Sequence, residues 1–173
     1  MVRLFRISGF AAFIAMMFLN AFVDLGHKIV IQNTVFRTFD GATQVTLTAI
    51  LNGLILLPFV LLFTASGYCA DRYAKPRVMR MAAGVAVVLT LLITAFYALG
   101  WFWAAFGITL LLGVQAAIYS PAKYGFIKEL VGPTQLTGAN GLVQAVSTIA
   151  ILAGIFVFSI LFETHLVLSL IHI

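Results

Sequence analysis

Five long apolar runs, parted by short polar stretches, set the pattern of this chain. A helix needs ~20 apolar residues to cross a ~30 Å hydrocarbon core, and each run is close to that length. The pattern predicts spans over about 8–36, 44–66, 78–99, 102–119 and 139–162. Pro58 lies inside the second span and predicts a kink there, because it removes a backbone donor. Gly100 breaks the chain between the third and fourth, with Trp101 and Trp103 where an aromatic belt meets the interface. Ser120 to Thr137 reads as a polar connection with turn signals at Pro121 and at Gly132-Pro133. Within it, Tyr124, Ile127 and Val131 recur at near-helical spacing beside Lys123 and Lys128, which predicts a short helix on the membrane surface. In the fifth span, Gly141 and Ala145, then Ala150 and Gly154, are small residues four apart that invite close approach of another helix.

Composition turns this pattern into a class. Of 173 residues, 63% are hydrophobic, and only 9% are Asp, Glu, Lys or Arg. Mean hydropathy is +1.14. The class is an all-α integral membrane protein. Arg3 and Arg6 precede the first apolar run, as in a secretory signal peptide, but that run is too long and no Ala-x-Ala site follows it. The formal charge of +5 is spread over short loops, so it fits a positive-inside bias and implies no nucleic-acid partner. With the amino terminus inside, Arg3, Arg6, Arg72, Lys75, Arg77, Arg80, Lys123 and Lys128 all fall in the cytoplasm. Arg37 then falls outside, and Lys28 within a helix. The expected setting is therefore a membrane crossed several times from a cytoplasmic amino terminus. Cys69 is the single cysteine, so no intrachain disulfide forms.

Candidate chemistry lies within the spans. Asn20, Asp24, His27 and Lys28 sit at i, i+4, i+7 and i+8, on one helical face. A charge at mid-bilayer costs roughly 2.5–3.5 kcal/mol. Asp24 and Lys28 are one turn apart, and pairing lowers that cost for both. The stripe reads as the wall of a water-filled, substrate-bearing cavity, although Lys28 and His27 also fit snorkelling toward the membrane edge. Gln115 and Asn140 are further substrate-binding candidates, and Gln144 is another intramembrane polar residue. Interhelical hydrogen bonding explains all three equally well. No nucleophile elbow, zinc-protease motif or phosphate loop is present, so no enzyme activity, metal or cofactor is expected.

Two stretches carry a family resemblance. Gly67-Tyr68-Cys69-Ala70-Asp71-Arg72-Tyr73-Ala74-Lys75-Pro76-Arg77 resembles the signature loop between the second and third helices of major facilitator superfamily transporters. The resemblance implies a cytoplasmic conformational latch made by Gly67, Asp71, Arg72, Lys75 and Arg77. Ala116 to Gly125, with Tyr119, Ser120, Pro121, Lys123, Tyr124 and Gly125, together with Glu129-Leu130 and Ala139-Asn140-Gly141-Leu142, resembles the bacterial lysophospholipid transporter branch. It departs from that branch at Leu25, where the branch has Asn after the first-helix Asp. The resemblance implies inward movement of lysophospholipids for reacylation. It also implies as partners the remainder of the transporter and, in the fused forms it most resembles, acyltransferase and acyl-carrier-protein ligase domains. An exporter of small molecules with the same fold, or a membrane anchor for a fused acyltransferase, stay open as alternatives.

Residues 1–167 are thus expected to be the incomplete amino-terminal half of a transporter. Residues 168–173, Leu-Ser-Leu-Ile-His-Ile, match one translation frame of a transposon end used to prepare sequencing libraries, and are expected to be a non-native tail.

Overall fold

The computed structural model describes residues 4–166; the tail expected to be non-native, residues 168–173, lies outside them. A short 3-10 turn at Leu4–Arg6 leads into α1, Phe10–Thr38. Then come α2 at Gly41–Leu61, α3 at Phe63–Arg72, α4 at Lys75–Ala98, α5 at Phe102–Val131 and α6 at Leu136–Leu161. No strand occurs among the described residues. Five segments are long and apolar enough to cross a membrane: α1, α2, α4, α5, and a fifth over Pro133–Thr164 built on α6. The all-α membrane class and the five predicted spans are therefore borne out.

Three boundaries differ from the sequence reading. The second span does not run unbroken to Ser66. It is interrupted at Leu62, one turn beyond Pro58, where ψ departs from the helical value to 7°. Pro58 cannot donate to Leu54, so the break is absorbed locally, with the Leu62 amide bonding the Pro58 carbonyl at 2.9 Å. The signature stretch is hardly a loop. Gly67 to Arg72 complete α3, Lys75 to Arg77 open α4, and the turn between them is Tyr73-Ala74. Pro76 sits in the first turn of α4, where a missing N–H costs nothing. The third difference is the largest. Pro121 does not end the fourth span, and no separate surface helix follows. α5 runs through it for 30 residues, about 45 Å at 1.5 Å per residue. Ala117 and Ala122, on either side of Pro121, are buried against neighbouring helices. Packing holds the helix where the local signal reads as a stop. Ile127 and Val131 face the bundle core rather than a lipid surface.

The bundle is built around α5, which contacts α4, α2, α3, α1 and α6, while α1 pairs most extensively with α6. Small residues set these distances. A Cβ added to Gly113 would lie 2.9 Å from the Leu54 carbonyl oxygen, the acceptor that Pro58 leaves without its helical donor. A Cβ at Gly154 would lie 2.5 Å from the Phe22 carbonyl oxygen, so α6 rests directly on the backbone of α1. Gly141 has open space beside it, so of the two small-residue pairs only Ala150 and Gly154 face a partner. One buried cluster joins Leu4, Phe10, Ala70, Val78, Ile127 and Ala139, and a second joins Ile31, Val35, Leu47 and Phe106. The basic stretches after Ala70 and before Ile127 thus gather at one end of the bundle. Arg37 lies at the other, bonded to Glu163 at 2.7 Å.

Candidate functional site

The polar face of α1 opens onto a groove between α1 and α4. Asn20 and Asp24 line one cavity of about 560 Å³, walled by Ala12, Met16, Ala83 and Val87 among others. It is bordered by a second cavity of about 430 Å³ that His27 lines with Val30, Thr94, Tyr97 and, from α6, Phe158. Helical spacing places these side chains together, and the walls around them are mostly apolar, with Thr90, Thr94 and Tyr97 the other polar side chains.

Asn20 Nδ2 donates to Asp24 Oδ2 at 2.7 Å. The expected Asp24–Lys28 ion pair is absent: among the described residues the ion pairs are Arg37–Glu163 and Lys75–Glu129. Helical side chains lean toward the N-terminal turn, and Asp is short, so its carboxylate reaches back to Asn20 rather than forward to Lys28. The carboxylate therefore has a polar cap from its own helix. Lys123 of α5 places its ammonium 4.5 Å above the ring of Tyr124.

His27 does less toward the groove than its spacing suggests. It is buried, and its Nε2 lies 3.1 Å from Thr109 Oγ1, a hydrogen bond that ties α1 to α5. Lys28 is partly buried. Gln115 is not beside Asp24. It lines a separate cavity of about 660 Å³ among α3, α4 and α5. Asn140 and Gln144 point outward from α6 and line none of these cavities. Tyr119 is buried with its hydroxyl unpartnered. Ser120 and Pro121 are partly buried beside it.

At the basic end, the signature residues split. Lys75 Nζ bonds Glu129 Oε1 across the α4–α5 boundary. Gly125 makes room for it: a Cβ there would lie 2.6 Å from Lys75 Cε. Arg72 bonds the Tyr68 hydroxyl at 2.9 Å within α3. Gly67 has open space beside it, and Asp71 and Arg77 are exposed. Sequence reasoning did not single out Glu129 or Thr109 as contact residues. Glu129 is the one acid in the α5 basic stretch, and that contrast was the available signal. Thr109 is a lone hydroxyl in an apolar run and carried none.

No family model and no solved structure matches the chain. Curated relatives do. The lysophospholipid transporter LplT of Serratia proteamaculans (strain 568) is 42% identical over 117 residues, covering 68% of this chain and 26% of that protein. The proteins of the same name from Yersinia pestis (strain Pestoides F) and Yersinia pseudotuberculosis serotype I (strain IP32953) are each 40% identical over 122 residues, with the same coverage. The chain spans about a quarter of the length of the curated relatives it matches.

Proposed function

Because the chain belongs with the bacterial lysophospholipid transporters, a family of the major facilitator type, we propose that residues 1–167 form the amino-terminal part of a transporter that moves lysophospholipids across the bacterial inner membrane. Its amino terminus lies in the cytoplasm, with the basic end of the bundle. The observation that carries this reading is the Asn20–Asp24 pair on the wall of an apolar groove. A lysophospholipid has one acyl chain and a polar head. The apolar wall suits the chain, and the carboxylate with its amide suits an ammonium or hydroxyl head. A carboxylate in that position is expensive to keep without a ligand to use it. Lys28 and His27 extend the same face. At the basic end, the Lys75–Glu129 pair joins the start of α4 to the end of α5, and with Gly67, Asp71, Arg72 and Arg77 it acts as the latch of the transport cycle.

The test is uptake of radiolabelled lysophosphatidylethanolamine by cells carrying the complete gene. Asp24→Ala is expected to lower uptake at least tenfold at equal protein level, while Gly141→Ala, beside open space, leaves it unchanged. Normal uptake by Asp24→Ala would remove the pair from the mechanism.

A further inference from the structure

The α3–α4–α5 cavity lies apart from the Asn20–Asp24 groove and has a different character. Its α4 wall is Arg77, Met81, Val85 and Leu89, residues four apart on one helical face. Twelve residues of rise give it a length of about 18 Å, close to the depth of one leaflet of a ~30 Å hydrocarbon core. Apart from Cys69 and Tyr73 of the α3 side, the lining carries polar groups at two levels. At the mouth stand Arg77 and, in a cleft that shares Arg77 and Met81 with it, Arg80. Both arginines are exposed and outside the ion pairs found among the described residues. Farther in stands Gln115, 3% exposed, with neither its amide nitrogen nor its oxygen hydrogen-bonded. A buried amide without a partner is costly, and in lipid there is no water to supply one.

We propose that this cavity binds a phospholipid with an anionic head group from the leaflet at the basic end of the bundle. The phosphate meets Arg77 and Arg80, an acyl chain lies along Met81, Val85 and Leu89, and a glycerol ester oxygen accepts from the Gln115 amide. Charge complementarity selects the occupant. Two unpaired guanidiniums over an apolar trough fit a phosphate above a hydrocarbon chain, and they do not fit an apolar helix. The site is distinct from the transported lipid's groove, and the inference stands whether or not the chain transports.

The experiment uses the protein expressed from the complete gene and reconstituted in vesicles, with its native tryptophans, Trp101 and Trp103 among them, replaced by Phe to clear the background. Val85→Trp places a reporter in the cavity, Leu111→Trp a second on the α5 wall, and Val87→Trp a control on the opposite groove. Quenching by brominated phosphatidylglycerol is compared with quenching by brominated phosphatidylcholine. The expected result is a preference for the anionic lipid at both cavity reporters, about fivefold for each arginine, and no preference at the control. Arg77→Gln with Arg80→Gln abolishes that preference, and Gln115→Leu weakens quenching by both lipids alike. Equal quenching by the two lipids in the cavity, the same preference at Val87→Trp, or a preference indifferent to the arginine substitutions would overturn the proposal. Should one reporter fail to insert, the other decides.

Discussion

Gly154→Ala is the sharpest test of how α6 holds the polar face of α1 in place. The new methyl carbon would lie 2.5 Å from the Phe22 oxygen, 3.2 Å from its carbonyl carbon and 3.3 Å from its Cα. All three are backbone atoms, so no side-chain rotation relieves the contact. Favourable separations between carbon atoms are about 3.5–4.0 Å, so the helices must part by roughly 1 Å. A gap of that size forfeits a quarter to a half of each contact's attraction, and overpacking of this kind costs about 1–3 kcal/mol. Phe22 lies between Asn20 and Asp24 in sequence, so the shift moves the pair as well. The assay is reversible unfolding in mixed micelles of mild detergent and dodecyl sulfate, followed by circular dichroism. Gly141→Ala is the control, because its Cβ meets open space and alanine is the better helix former by up to about 1 kcal/mol. The account predicts a loss of about 1–3 kcal/mol for Gly154→Ala and no loss for Gly141→Ala. Equal stability of the two variants would refute close backbone contact between α1 and α6.

Thr109→Val removes the partner of His27 and is expected to cost roughly 0.6–1.7 kcal/mol in the same unfolding assay. Gly125→Ala crowds Lys75 off Glu129; because that pair is partly exposed, stability should fall by less than about 1 kcal/mol while uptake slows severalfold in cells carrying the complete gene. An impermeant maleimide added to intact cells is expected to label Thr38→Cys and to spare native Cys69; rapid labelling of Cys69 would reverse the orientation.

The five spans were legible because transfer of apolar length into lipid is a local, additive property that one sequence reveals. Gathering of the bases at one end followed from the same counting. Ala150 and Gly154 were legible as a contact face, but Gly141 and Ala145 share the spacing, and only the placement of α1 distinguishes the two pairs. Pro121 misled because its local signal is a stop, whereas burial of Ala117 and Ala122 against neighbouring helices sustains the helix. The shared face of Asn20 and Asp24 was legible from helical periodicity; the choice of Asn20 over Lys28 as partner depends on side-chain direction, which spacing alone does not give. Gln115 was visible as an intramembrane amide, yet which groove it lines depends on the rotation of α5 against α4, a tertiary property.

The most direct measurement maps where the lipid head sits. A lysophosphatidylethanolamine analogue with a photoreactive group on its head is cross-linked to the membrane-embedded protein expressed from the complete gene, and the adduct is located by peptide mass spectrometry. The account predicts adducts on the α1 and α4 walls around Asn20, Asp24 and Thr90, displaced by unlabelled lysophospholipid and lost in Asp24→Ala. Adducts spread evenly over the lipid-facing helices, or undiminished by Asp24→Ala, would contradict it.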